Sequence, residues 1–224
     1  MRCATPASAV ELIRTQGYAV MSGADASALA DTLDDTRKKD AVEVSAGRLH
    51  YEMTRRLRKR DERVRGVIDE AVAPQLRALA AAYLGTDNVR LTQVQFLDSL
   101  PDSAAQIWHC DNAERGLTFI LPLERIGSDM GPTEVLPRSH LGDWRAFATT
   151  RRRLVGPVST GEVVCFDARL LHRGGANESR RRRRVLVLRY DDRATPPPGV
   201  GVVGTAFRRC VAHGWAQLGD LAGM

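Results

Sequence analysis

The texture of this chain changes at residue 89. From there to residue 191 the apolar residues fall into short runs: Val89 to Leu97, Ala105 to Cys110, Gly116 to Leu123, Glu134 to Leu136, Glu162 to Phe166 and Val185 to Tyr190, divided by Pro, Gly, Asp and Asn. Alternation with a period of two marks a strand with two unlike faces, and Gly and Pro punctuate the turns between strands. Several such strands after a helical start predict a mainly β fold with α elements, an antiparallel barrel or sandwich backed by helices. The helical start is residues 1–88. Ala7 to Thr15 carries apolar residues at helical spacing and meets Gly17; Tyr18 to Met21 reads as a short strand. Further helices are expected from Asp25 to Lys39 and from Val64 to Leu84, the last closed by Gly85. With no internal repeat, residues 1–224 read as one domain: 1–88 as mostly helical support, 89–191 as the barrel core, and 192–224 as an extension entered through Pro196-Pro197-Pro198.

Composition excludes more than it selects. No apolar run approaches the ~18 residues a membrane helix needs. The start, MRCATPASAVELIR, lacks the apolar stretch of a secretory signal, although organellar targeting stays open. The four cysteines (Cys3, Cys110, Cys165, Cys210) show no zinc-type spacing and read as reduced thiols of a cytoplasmic chain. Lys and Arg total 33 against 27 acidic residues, a net charge of +6 that permits polyanions or anionic metabolites without choosing between them. The basic clusters Arg55 to Arg60, Arg151 to Arg153 and Arg180 to Arg184 carry no interleaved aromatics, so they lack stacking platforms for bases. They read as solvated faces, and nucleic acid is not the expected partner.

Chemistry concentrates in the strand region. In Gln106-Ile107-Trp108-His109-Cys110-Asp111 a His and an Asp stand two apart, which on a strand puts both on one face and Cys110 on the other. A second His, His172, follows the strand-like Glu162 to Phe166. Two imidazoles and one carboxylate are the facial set that binds Fe(II) and leaves coordination positions open. On these residues alone a metal site and a pair of satisfied core or surface histidines remain open readings. Eleven residues past His172, Arg183 opens the last strand; a guanidinium fork suits the distal end of a dicarboxylate. Strand alternation puts Arg181 and Arg183 on one face and does not choose between them. His140, His50 and His213 read as structural or surface residues.

QIWHCD, GPTEVLPRSH and LLHRGGANESRRRR, in this order and at this separation, resemble the phytanoyl-CoA dioxygenase family of iron and 2-oxoglutarate oxygenases. The resemblance is close from Gln93 to Tyr190 and weaker back to about residue 10. It implies a double-stranded β-helix, a jelly-roll or cupin-like barrel with N-terminal supporting helices. It further implies Fe(II) on His109, Asp111 and His172, with 2-oxoglutarate as co-substrate gripped by Arg183. Gln95 falls where the family often places a side chain near the co-substrate; an inward polar residue bonded within the barrel is the other reading. Two departures stand out: Arg138 replaces the usual glycine before Ser139, and Gly174 stands where some members carry serine. Retention of Asp111 implies hydroxylation rather than halogenation.

The implied reaction couples 2-oxoglutarate and O2 to succinate and CO2 with C–H hydroxylation of a small-molecule substrate, and the basic surface leans toward an anionic one. The alternatives are a nucleic-acid- or protein-directed oxygenase, a catalytically inert barrel that binds a partner, and a sugar-modifying cupin-type protein.

Overall fold

The computed structural model describes residues 2–3, 5–30, 42–45, 47–52, 66–142 and 153–194. Among them are eleven strands: β1 (Arg2–Cys3), β2 (Tyr18–Ser22), β3 (Val42–Ser45), β4 (Arg48–Glu52), β5 (Val89–Ser99), β6 (Gly116–Pro122), β7 (Thr133–Val135), β8 (Arg153–Val155), β9 (Glu162–Asp167), β10 (His172–Gly174) and β11 (Arg183–Asp192). They form an eight-stranded sheet ordered β1-β2-β9-β6-β11-β5-β4-β3 and a smaller sheet ordered β10-β7-β8. Every pairing is antiparallel except β1 with β2. This is the expected double-stranded β-helix.

Two helices back the large sheet, α1 (Pro6–Gln16) and α2 (Ala73–Leu84). Local chemistry sets the ends of α1. The Thr5 hydroxyl accepts from the Ser8 amide while Ser8 Oγ accepts from the Thr5 amide, a capping box, and Pro6 sits in the first turn where its missing N–H costs nothing. Gly17 closes the helix at φ 91°, its amide on the Ile13 carbonyl.

The expected helix from Val64 to Leu84 is corrected in part: Gly66–Val72 is a π-helical stretch, and the α-helix begins only at Ala73. Pro74 explains the break, because it cannot donate to the preceding turn. Of the expected Asp25–Lys39 helix, one 3-10 turn is described, Ser27–Leu29. Residues 31–39, the Arg55–Arg60 cluster, Arg151, Arg152, Pro196–Pro198, Cys210 and His213 lie outside the described residues.

Alternation along the central strands sorts two layers. Val94, Phe96, Leu117, Phe119, Leu121, Val163, Cys165, Leu186 and Leu188 face Ile13, Leu76, Leu79 and Tyr83 of the helices in one buried cluster. Their neighbours in sequence point the other way, where Val20, Val164 and Phe166 of the large sheet meet Val135 and Val155 of the small one. Strands covered on both faces read as nearly unbroken apolar runs, as β6 (GLTFILP) does. The few polar residues on the inward face, Gln93, Gln95, Thr118 and Arg183, line a cavity of about 250 Å³ between the sheets.

The expected strand from Ala105 to Cys110 is a second correction. The segment is extended but holds to β10 at only two points: the Gln106 amide donates to the Gly174 carbonyl, and His109 and His172 form an isolated bridge. Ahead of β7, Gly131 at φ 67° lets the chain pass against the turn after β10: a Cβ there would lie 2.2 Å from the Gly175 carbonyl oxygen and 2.4 Å from that of Ala176. Both obstacles are backbone and cannot swing aside. Gly131→Ala is therefore expected to cost more than about 1 kcal/mol of stability. Urea unfolding monitored by tryptophan fluorescence checks this.

Candidate active site

The His109–His172 bridge sets the site. The His109 amide donates to the His172 carbonyl at 3.1 Å, and the His172 amide returns the bond at 3.0 Å. A reciprocal pair of this kind holds two side chains next to each other on one face. The imidazole centroids lie 4.4 Å apart. Each ring is also locked by its own backbone. Nδ1 of His109 lies 2.8 Å from the Ile107 carbonyl, and Nδ1 of His172 lies 2.9 Å from the Leu170 carbonyl. A carbonyl can only accept, so in the neutral form of each ring Nδ1 carries the proton and the lone pair falls on Nε2.

Asp111 completes the cluster from the bend after the bridge. Its Oδ1 lies 3.5 Å from His172 Nε2, and one ligand atom from each of His109, Asp111 and His172 lies within 4.8 Å of the others. Thr118 on β6 donates its hydroxyl to Asp111 Oδ2 at 2.6 Å, and Arg189 Nη1 donates to the Asp111 carbonyl at 3.2 Å. Burial acts to raise the Asp111 carboxyl. The charge the two imidazoles carry when protonated, the Thr118 hydroxyl and the Arg189 charge outweigh it and hold the group below the ordinary carboxylate range. His172 packs against Phe166 at 4.3 Å, and burial pushes its imidazole well below the usual range. Both groups are in ligand form at neutral pH. An anionic oxygen and imidazole nitrogens converging in a cavity are a donor set suited to Fe(II).

Arg183 lines the same cavity, 5% exposed. Its neighbours in the arginine run are neutralised elsewhere, Arg182 by Asp98 and Arg184 by Glu124. The strand begins at Arg183, so alternation never extends to Arg181, which is exposed and lies 3.8 Å from Glu124. Arg183 Nε is buried without a partner.

These residues meet in a fold that other proteins share. The description Phytanoyl-CoA dioxygenase (PhyH) matches residues 13–185. The chain belongs to this family of iron- and 2-oxoglutarate-dependent oxygenases. Among solved structures it is similar to AviO1 from Streptomyces viridochromogenes Tue57, with 27% identity over 87% of this chain and 98% of that one and a TM-score of 0.69. It shares its fold with SnoN, a non-heme alpha ketoglutarate dependent epimerase from nogalamycin biosynthesis (21% identity, 88% of this chain and 87% of that one, TM-score 0.73). It shares it also with SnoK, a carbocyclase from the same biosynthesis (19% identity, 83% of each chain, TM-score 0.68). A search of the curated proteins finds no significant match.

Gln95 sits on β5 opposite Val187, 8% exposed and lining the cavity. His140 lies outside the cavity lining: it is buried, its Nε2 lies 3.0 Å from the Arg14 carbonyl, and burial lowers its imidazole. Arg138 is exposed at φ 70°, a left-handed position where glycine has no steric cost. Sequence reasoning missed Gln93, Thr118 and Gln106, all of which line the cavity. Thr118 had a signal, because it is the lone hydroxyl among the apolar residues of β6.

Outer groups that fix a metal-ligating carboxylate usually matter about 10–100-fold in metal affinity. Thr118→Val keeps the shape and removes the donor, so anaerobic Fe(II) titration is expected to show a loss in that range with the melting temperature nearly unchanged.

Proposed function

We propose that this protein is an Fe(II)- and 2-oxoglutarate-dependent oxygenase that hydroxylates a C–H bond of a small-molecule substrate. One observation carries the reading. A two-imidazole, one-carboxylate cluster and a buried guanidinium lacking a carboxylate partner open into the same cavity. The donor set fits ferrous iron, and the orphaned Arg183 Nε fits an anion. SnoN has been seen with Fe3+, alpha ketoglutarate and nogalamycin RO, and EvdO2 with 2-oxoglutarate, which supports the same pair here.

His109, Asp111 and His172 would hold the iron, and Arg183 would take the distal carboxylate of 2-oxoglutarate in a charge-assisted bond. When bound, the iron and co-substrate supply the oxygen activation and the two electrons that the side chains cannot. The protein's own part is geometric. The bridge and the two Nδ1 contacts keep the imidazole Nε2 atoms aimed at one point, and Thr118 holds the Asp111 carboxylate against rotation. Val164, Phe166, Val185 and Val187 wall the span between triad and floor with apolar surface. Such walls exclude the water that would compete for a reactive centre.

The described walls enclose less than the roughly 300–1,000 Å³ of ordinary ligand pockets, so with co-substrate in place only the reacting end of a substrate enters. Asp111 occupies the position that a halide would need, which favours hydroxylation over halogenation. SnoN and SnoK show that this scaffold also serves an epimerase and a carbocyclase, so product analysis under 18O2 belongs in the test. A labelled hydroxyl supports the proposal; an oxidised or inverted product without label assigns the other reaction type. No helix among the described residues is long and apolar enough to cross a membrane.

The decisive experiment is anaerobic addition of Fe(II) and 2-oxoglutarate, followed by succinate formation across a metabolite panel. The wild type is expected to develop a 2-oxoglutarate-dependent absorption band, and His109→Ala to show neither band nor succinate. Equal succinate from both would refute the iron assignment. Arg183→Met is expected to raise the KM for 2-oxoglutarate by roughly tenfold or more, the value of one charge-assisted pair.

A further inference from the structure

Behind Arg183, outside the cavity lining, lies a second guanidinium that the triad does not account for. Arg48, at the start of β4, is 1% exposed. Its Nε donates to the Ala104 carbonyl at 2.9 Å, its Nη1 to Ser99 Oγ at 2.7 Å, and its Nη2 to the carbonyls of Gly174 and Gly175. Arg183 Nη2 donates to the same Ser99 Oγ at 3.0 Å. One hydroxyl oxygen thus accepts from two buried cations, which fills both of its lone pairs. No carboxylate among the described residues pairs with either arginine. Burial pushes Arg48 down to about 10; burial, then the charge of Arg48, pushes Arg183 down to about 9.

The backbone is shaped to allow this pairing. A Cβ on Gly174 would lie 2.7 Å from Arg183 Nη2, 2.9 Å from Arg48 Nη1 and 2.9 Å from Gln106 Oε1. Only glycine leaves both guanidinia their places. Two like charges buried side by side without a counter-charge are expensive. No carboxylate among the described residues offsets them, so Arg183, which lines the cavity, attracts an anion more strongly than it would without Arg48 behind it.

We propose that Arg48, acting through Ser99 Oγ, is a positioning residue that orients Arg183 and makes the floor select keto acids carrying a second, distal carboxylate. This rests on the oxygenase reading above and names what gives that site its preference for a dianion. A purely structural Arg48, holding only the carbonyls of Ala104, Gly174 and Gly175, makes a different prediction: its loss would weaken all keto acids alike.

The test compares 2-oxoglutarate with 2-oxopentanoate, the five-carbon keto acid without the distal carboxylate, by anaerobic titration of the Fe(II)-loaded protein. Ser99→Ala and Arg48→Gln are expected to weaken 2-oxoglutarate by about tenfold while leaving 2-oxopentanoate unchanged, with Arg48→Lys recovering part of the loss. Equal losses for both ligands, or no loss for either, would overturn the inference. Ser99→Ala removes only one hydroxyl and decides the matter if Arg48→Gln fails to fold. A wild type that binds no 2-oxoglutarate would instead sink the oxygenase reading itself, so the two failures are distinct.

Discussion

Two reciprocal backbone hydrogen bonds between His109 and His172 hold the site together. They join a segment that is not a regular strand to the short β10, whose other edge is paired to β7. Because the bonds are main-chain bonds, the approach of the two imidazoles does not depend on any ligand being present. Each ring then spends its Nδ1 proton on a carbonyl two residues earlier in its own segment. The ordering entropy of two ligands is met by the fold, and a metal finds donors already turned toward it. Thr118 and Arg189 do the same for Asp111 from the opposite sheet, so both layers of the barrel contribute to one point.

Charge is distributed along β11 in a way that separates structure from function. Arg182, Arg184 and Arg189 are paired with Asp98, Glu124 and Asp191, each an internal neutralisation of the ordinary kind. Arg183, in the middle of that series, has a serine hydroxyl and another arginine. A chain with acidic residues at hand on both sides could have paired Arg183 as it paired its neighbours. Leaving it unpaired and buried costs stability, which a fold retains where the cost is recovered by binding.

Much of the architecture was legible because two-faced burial writes itself as dense apolar runs: β5, β6, β9 and β11 all fall within a few residues of their expected bounds. The segment around His109 was legible for chemistry but not for form. His and Asp two apart do converge, with Trp108 and Cys110 turned into a separate apolar cluster, yet a bend rather than continued pleating brings Asp111 round. The helix before residue 84 misled because apolar spacing does not register the donor that Pro74 lacks. Arg181 against Arg183 was undecidable by parity, since parity needs both residues in one strand, and β11 starts between them. Arg48 left no trace at all. It lies more than fifty residues from any motif, in a strand whose pairing with β5 is what carries it to Ser99.

The gradient along the cavity argues for its occupant more strongly than any single contact. One end offers Arg183, backed by Arg48, and no acid, the middle is walled by Val185, Val187, Ile120 and Val164, and the other end offers lone pairs for a metal. A neutral metabolite leaves the floor's charge uncompensated, and a monoanion compensates one end only. A fully apolar ligand leaves Arg183 Nε as orphaned as before, at a desolvation cost of about 1–3 kcal/mol. A short molecule with an anionic group at each end, one able to chelate, satisfies floor, waist and triad together. That requirement comes from the walls alone, and a keto diacid meets it.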